Sequence, residues 1–582
     1  MLMPLRRYLL LGISVAFAGG LFAQQTDDSL ATLTYQLRGL RTLGLPTSEF
    51  LNAAEVRAAA LGRLIETDPR LALASALPEE EAAAIRQWGP ALAETVGGWE
   101  GSMEVRVEDD FVNGTTRNHY LLGLDGEEVE VFPADRPPIS TCLPVVRVTG
   151  LRLGARIAAS DVTVQSSLSS CTTSGVQNIA VILVNFASTP LPANITSAFV
   201  QNAFFGASRS MDTYWRETSY NRMSATGQVF GPFTIADMSC ASTSVIRSAA
   251  IAAADPTVNF TNFSRIFIIH PAAGSCSIGV GTVGCATLSS ADGTFIASTA
   301  WMRADYLQTT DNVISVGVHE GGHNMGLEHS STMDYGSIAL GPPGVAGTFN
   351  EYWDLFSAMG LSFNLSGTIL IGHYPAVQKA TLGWLQSGTE YQTVTSNGTY
   401  TLIPYETSAV GLKALRVQRP GTNKWLWIEY RQPLGSFDSS LGIYSGNLYS
   451  GALIHYEDPN DINAGQTLLL DFTPTATPNN FADSPLLAGH SWTDPNSTLM
   501  ISVVSATSAG LIVTVTTTAA VSPCDLNADG VVNVVDVQLS ANKALGSSAC
   551  GNGDLDGNGV CNVVDLQRLV IAALGGTCHV GP

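Results

Sequence analysis

Residues 319–329 read His-Glu-Gly-Gly-His-Asn-Met-Gly-Leu-Glu-His. A chain with this run must hold a short helix against a turn that carries a third histidine back toward the first two. His319 and His323 stand four apart, so on a helix both imidazoles leave the same face. Gly326 lets the chain depart from the helix in a conformation that a side chain resists, and the turn brings His329 round as a third nitrogen. Three such ligands with a fourth position left open make a catalytic zinc set, not a structural one. Glu320, beside the first ligand, is placed to take a proton from water attacking a carbonyl. The apolar stretch Asp311 to Val318 supplies the start of the helix, with an N-cap near Thr310.

This pattern resembles the metzincin clan of zinc peptidases, in which a methionine-containing turn closes the floor beneath the metal. Met333 follows His329 too soon for the chain to pass back under an ion. Met359, in Tyr352-Trp-Asp-Leu-Phe-Ser-Ala-Met-Gly360, lies far enough downstream. That segment resembles the Tyr-Gly-Asp-x-Ser-Ser-x-Met-Gly run of the gametolysin family, with Trp353 and Phe356 in place of a glycine and a serine. Ala376 to Trp384 is likewise similar to gametolysins and the related immune inhibitor A peptidases. The resemblance spans about residues 176 to 520 in outline. It implies a secreted zinc metalloendopeptidase acting on extracellular proteins, with Glu320 as catalytic base and one zinc on His319, His323 and His329. It also implies that Thr294 to Met302 is the sheet edge to which a substrate strand adds.

The last sixty or so residues carry a duplication. Asp525-Leu-Asn-Ala-Asp-Gly-Val-Val-Asn-Val-Val-Asp536 is followed by Asp554-Leu-Asp-Gly-Asn-Gly-Val-Cys-Asn-Val-Val-Asp565. Each places side-chain oxygens at positions 1, 3, 5, 9 and 12 of a calcium loop, with glycine at the sharp turn of position 6. The expected ligands are Asp525, Asn527, Asp529, Asn533 and Asp536, with the backbone of Val531, and then Asp554, Asp556, Asn558, Asn562 and Asp565, with the backbone of Val560. Helical segments follow at Val537 to Leu545 and Leu566 to Leu574. This loop–helix repeat resembles a dockerin, which implies two calcium ions and a cohesin on a scaffold or cell surface as partner. Val534-Val535 and Val563-Val564 stand where dockerins often carry Ser or Thr pairs.

Arg6 and Arg7 precede an apolar run from Tyr8 to Phe22 that ends at Ala23, the form of a secretory signal. A secreted product with no membrane span after cleavage is expected. The net charge of −21 argues against nucleic acid or an anionic membrane as partner. With 582 residues, 45% hydrophobic and 13% charged, the chain should bury several separate cores. The expected organisation is a signal at 1–23, a propeptide at 24–175 that is helical and then β, a metzincin-like α+β peptidase domain at 176–390 built on the zinc-binding helix, a β-sandwich at 391–520, and a small all-α calcium module at 523–578. Leu30 to Leu43, Ser48 to Ile65 and Glu79 to Val96 read as the helices of the first part, and Ser102 to Val107, His119 to Leu124, Glu128 to Phe132 and Pro144 to Thr149 as its strands. Val176 to Phe186 reads as a buried strand opening the next domain.

Nine cysteines in an exported chain imply disulfides and one thiol left over. Cys276 and Cys285 bracket a Gly-rich loop and are expected partners, while Cys524, Cys550, Cys561 and Cys578 allow three pairings. Cys142 sits in the expected propeptide, where its thiolate could occupy the open zinc position and hold the enzyme latent; a Cys142–Cys171 disulfide is the alternative. A reading from another class remains: an adhesion or scaffold protein using the metallopeptidase fold as a binding surface. The complete ligand set and Glu320 weigh against it. No paired-carboxylate site of readable spacing supports polysaccharide cleavage.

Overall fold

The computed structural model describes residues 30–581 apart from 41–47, 112, 136, 138–143, 168–171, 361–363, 366–367, 445, 460–464, 476–480, 518–521, 528–531 and 575. The signal expected at 1–23, Cys142, Cys171, Asp529 and Val531 therefore lie outside the described residues. The chain is a multidomain mixed α/β protein of two compact units, one of residues 1–330, 355–374 and 381–384, the other of 331–354, 375–380 and 385–582.

The first unit starts with α1 (30–40), α2 (Ser48–Thr67), α3 (Pro69–Ala74) and α4 (Glu79–Arg86). Pro69 at the first helical turn needs no amide partner, and Asp68 caps α3 by accepting from the Leu71 amide. The helix expected over Glu79 to Val96 stops at Arg86, before Gly89-Pro90 breaks the run, and Thr95 already belongs to a strand. Leu61, Leu64 and Ile65 of α2 bury against Leu151, Leu153 and Ala158. Arg57 is fully buried and donates to both oxygens of Glu94 at 2.8 Å, which also accepts from the Leu77 amide. A buried pair of this kind is tolerable because its hydrogen bonds are filled.

Strands β1 (Thr95–Asp110), β2 (Thr115–Leu124), β3 (Glu127–Pro133), β4 (Pro144–Leu153) and β5 (Arg156–Ser167) contain the four strands expected in this stretch. They share one eleven-stranded sheet with β6 (Gly175–Phe186), β7 (Met223–Ile235), β8 (Arg265–His270), β9 (Gly279–Thr282), β10 (Ala286–Ser290) and β11 (Gly293–Arg303), in the order β2-β3-β5-β4-β1-β9-β11-β8-β6-β7 with β10 on β11. The sheet thus continues across residue 175 through the β1–β9 pairing. β6 is a continuous Val/Ile/Leu run because both its neighbours are parallel strands and helices cover it. β11 is not an edge: it lies between β8 and β9 and also pairs with β10, so the edge reading of Thr294 to Met302 is corrected. Against this sheet pack α5 (Ser197–Phe205), α6 (Met211–Thr218), α7 (Thr243–Ala254) and α8 (Thr310–Asn324).

In the second unit an eight-stranded sheet and a four-stranded sheet feed one core, Leu415, Leu426, Ile428 and Ile454 from one and Leu402, Ile501, Val503 and Val513 from the other. Residues 330–334 and 348–350 join the larger sheet, so the β region begins well before residue 391. Met333 is buried in that core. After α9 (Ala376–Thr381), the repeat at the end of the chain forms α10 (Val534–Ala544) and α11 (Val563–Ala573), packed on each other. Disulfides Cys524–Cys578 and Cys550–Cys561 staple this small module. The third described bridge is Cys240–Cys276; the expected Cys276–Cys285 pair is corrected, because Cys240 reaches Cys276 with Cα atoms 5.6 Å apart, within disulfide reach. Cys285 is itself disulfide-bonded.

Candidate metal centre

α8 begins at a capping box one residue earlier than the sequence suggests. Thr309 accepts from the Asn312 amide at 3.2 Å and Asn312 accepts from the Thr309 amide at 3.1 Å. From Val313 to Asn324 every residue is buried. Asn324 Nδ2 donates to the Thr282 and Thr299 carbonyls at 3.0 Å, tying the end of α8 to β9 and β11. The Tyr374 hydroxyl donates to the Val318 carbonyl at 2.6 Å.

The paired glycines of the motif are a packing requirement. A Cβ at Gly321 would lie 2.7 Å from the Trp215 ring, and one at Gly322 would lie 2.2 Å from Met359 Sδ. Met359 thus sits directly beneath the helix turn between His319 and His323. Its turn is held by the Ser330 amide donating to the Met359 carbonyl at 2.9 Å and by Ser357 Oγ donating to Ser330 Oγ at 2.8 Å. The helix ends at Asn324, Gly326 takes φ +91°, and the chain returns to place His329.

The three imidazoles converge. His319 Nδ1 lies 2.8 Å from the Ala358 carbonyl and His323 Nδ1 lies 2.8 Å from the Leu327 carbonyl. A carbonyl only accepts, so each ring carries its proton on Nδ1 and turns the Nε2 lone pair inward. The Nε2 atoms of His323 and His329 are 3.1 Å apart, and the His319 ring centroid is 5.1 and 5.2 Å from those of the other two. Burial pushes His319 down to about 4, so it is neutral as a ligand must be. Tautomers fixed by backbone acceptors are what metal-binding imidazoles show. The residues present therefore fit a metal ion.

A fourth group joins them. Asp109, the penultimate residue of β1, is fully buried, with Oδ1 3.0 Å from His329 Nε2 and Oδ2 3.2 Å from His323 Nε2 and 3.6 Å from His319 Nε2. Burial alone would raise its pKa. The facing His329 and His323 outweigh this and hold the carboxyl well below its usual range. Phe111, two residues on, sets its ring edge-on to His319 with centroids 4.8 Å apart. The buried group of Asp109, His319, His323 and His329 could hold a metal ion.

Glu320 is fully buried, and neither carboxylate oxygen has a hydrogen-bond partner among the described residues. Burial, and secondarily the Asp109 charge, push its pKa well above the usual range. It lies against β9, where a Cβ at Gly279 would fall 1.8 Å from its Oε1 and one at Gly281 3.0 Å from its Oε2. His270 is apart from this centre: it is buried at the end of β8, with Nδ1 3.0 Å from the Pro271 carbonyl and its ring stacked on Phe186.

In the second C-terminal loop, Asp554, Asp556 and Asp565 each offer a carboxylate oxygen within 4.8 Å of the others. Asp554 accepts from the amides of Gly557, Asn558 and Gly559, and Asp565 from those of Leu555, Asp556 and Asn562. Asn558 Nδ2 donates to Asp556 at 2.8 Å and Asn562 Nδ2 to the Val560 carbonyl at 3.3 Å. The first loop repeats this where it is described: Asp536 accepts from the amides of Leu526, Asn527 and Asn533. Asn533 and Asn562 cap α10 and α11 in capping boxes with Asp536 and Asp565. Asp525 is buried at the start of that loop and Asn527 follows two residues on.

The sequence brought His319, Glu320, His323, His329 and Met359 to attention, and the structure places them together. It did not bring out Asp109, which stands in the run Glu108-Asp109-Asp110 at the end of an ordinary alternating strand. Gly279 and Gly281 gave a weak signal, a glycine at every second position of a short strand, which marks a close approach. No protein-family model matches the chain, and no curated protein matches it.

Proposed function

We propose that the protein is a secreted zinc-dependent metalloendopeptidase of the metzincin type, similar to gametolysins, that hydrolyses extracellular proteins. The observation that supports this most is the convergence of the Nε2 atoms of His319, His323 and His329 next to the buried Glu320 carboxylate. His319, His323 and His329 hold the zinc. When bound, zinc supplies Lewis acidity to a peptide carbonyl and to water. Glu320 takes the proton of the attacking water and passes it to the leaving amine. Met359 supports the helix from below and touches no substrate.

The C-terminal repeat, in this reading, is a dockerin-like module that binds two calcium ions and attaches the enzyme to a cohesin-bearing scaffold or surface protein. The exposed pairs Val534-Val535 and Val563-Val564, 40–76% accessible, are its contact surface. The bridges Cys240–Cys276, Cys524–Cys578 and Cys550–Cys561 suit an oxidising compartment. No helix among the described residues is long and apolar enough to cross a membrane.

The test is casein hydrolysis by the protein freed of residues before 176, with a chelator, zinc add-back and Glu320→Ala. Activity lost in the chelated and variant samples, and restored to wild type by zinc, supports the reading. Stoichiometric zinc without hydrolysis of any protein substrate overturns it.

A further inference from the structure

His319 and His323 are oriented in different ways. The ring of His323 takes its acceptor from Leu327, four residues on in the same turn, whereas that of His319 takes Ala358, thirty-nine residues away. A ring aimed by one distant carbonyl points true only if the backbone that carries it is fixed as well.

Tyr374 supplies that second hold. Its hydroxyl donates to the Val318 carbonyl at 2.6 Å, and both residues are fully buried. A carbonyl oxygen has two lone pairs, so it can accept the phenol beside a helical amide. The peptide group that joins Val318 to His319 is planar. Fixing the direction of the Val318 carbonyl therefore fixes the plane that ends at the His319 Cα.

Tyr374 is itself held on every side. Its ring stands edge-on to Tyr214 of α6 with centroids 5.5 Å apart, and lies 5.8 Å from the ring of Trp384. The Tyr214 hydroxyl donates to the Gly372 carbonyl at 2.9 Å, and His373 Nε2 lies 3.0 Å from Glu217 Oε1. Trp384 Nε1 donates to the Thr173 carbonyl at 2.6 Å. Pro375 disfavours a helical Tyr374, and α9 opens only at Ala376. Burial pushes the Tyr374 phenol far above its ordinary pKa, so it stays a donor. α6 thus reaches α8 twice, through Trp215 against Gly321 and through Tyr214 by way of Tyr374.

We infer that Tyr374 is a positioning residue for the metal centre: its hydroxyl sets the peptide plane from which His319 reaches the ion, so that Ala358 and Tyr374 hold one ligand at both ends. This rests on the reading of the three histidines as a metal site. Tyr374 acts through His319 and not on a reacting atom.

The experiment loads the full chain with cobalt(II) and records the visible spectrum and the rate of cobalt loss to a chelator. Wild type is compared with Tyr374→Phe, with 4-aminophenylalanine incorporated at position 374, and with Tyr430→Phe. The last removes a buried phenol that donates to the Thr507 carbonyl at 3.0 Å, a matched loss within the second unit. Near-ultraviolet circular dichroism confirms that each protein is folded. Tyr374→Phe should still bind cobalt, with shifted visible bands and a loss rate raised about 10-fold. The aminophenyl group, which keeps a donor in place, should restore most of the difference, and Tyr430→Phe should match wild type. A folded Tyr374→Phe protein with the wild-type spectrum and rate overturns the inference. So does a Tyr430→Phe protein that shifts both as far, because general loosening would then account for the effect. The two readings fail separately: cobalt bound but indifferent to position 374 sinks this inference alone, whereas wild type that binds no cobalt sinks the metal site and the inference with it.

Discussion

The His centre of the first unit and the second loop of the C-terminal repeat both gather candidate metal ligands, by opposite routes. At the first, the ligands come from β1, α8 and the turn after it, and all four are buried. Their orientations are set by groups outside the site, such as the Ala358 and Leu327 carbonyls. At the second, Asp554, Asp556 and Asp565 come from one short run of chain, two of them only half buried, and their oxygens are engaged by the loop's own amides. A site built by the fold keeps its geometry whether or not an ion is present. A site built by a loop depends on its ion to offset the repulsion of its carboxylates.

The largest effect that sharpens this contrast is at Glu320. Glu320→Ala should lower casein hydrolysis by roughly 10²–10⁴-fold while zinc content, read by atomic absorption, stays at wild-type level. Loss of zinc with the activity would break the distinction between ligand and base drawn above.

Calcium should act on the other region alone. At a free concentration about 100 times its dissociation constant it should stabilise the C-terminal module by about 2.7 kcal/mol. Hydrogen exchange is the readout: amides of α10 and α11 should gain protection on adding calcium, and those of α8 should not change. Equal gains in both regions would mean that the loop is not the calcium site.

Gly322→Ala comes next, because the added methyl meets Met359 Sδ. It should cost about 1–3 kcal/mol in thermal unfolding. Gly322→Ala combined with Met359→Ala should recover part of that loss, whereas an unchanged cost would mean that the strain lies elsewhere.

The smallest effect expected is at His119, whose Nε2 lies 2.9 Å from Glu108 and Nδ1 2.8 Å from Glu130. Burial lowers its pKa, but the two carboxylates prevail and raise it, with Arg117 opposing them. A raised folded pKa gives stability that is complete below the unfolded value of about 6.5 and is lost as pH climbs through the folded value. Glu108 and Glu130, lowered chiefly by His119, lose their share as pH falls toward the carboxylate range. The gap in melting temperature between wild type and His119→Gln, worth about 1 kcal/mol, should therefore be widest between the carboxylate range and the unfolded histidine value of about 6.5, and should shrink as pH rises beyond it. A gap that widens with alkalinity would show that His119 stabilises the N-terminal strands by packing and not by charge.

What the sequence disclosed follows the same division. His319, His323 and the repeat of Asp525–Asp536 in Asp554–Asp565 are legible because their spacing is local: a helix turn or a loop brings them together without help. Met359 needed a resemblance, since nothing in a lone methionine says that it will lie under Gly322. Asp109 was not legible at all. Its meaning depends on β1 pairing with β9, and strand pairing between distant segments leaves no periodicity in either partner. The same limit explains Cys276, assigned to Cys285 by nearness along the chain and bonded to Cys240 across it. It also explains Thr294 to Met302, whose apolar alternation could not reveal how many neighbours the strand would acquire.

The glycines of β9 carry one more consequence. Over Glu320 the wall is bare backbone at Gly279 and Gly281, and Glu320 Oε1 leaves no room for even a methyl at position 279. That stretch offers nothing for point substitution to exchange. Any change in what the centre admits has to be written into the loops that border it, while this strip stays the same.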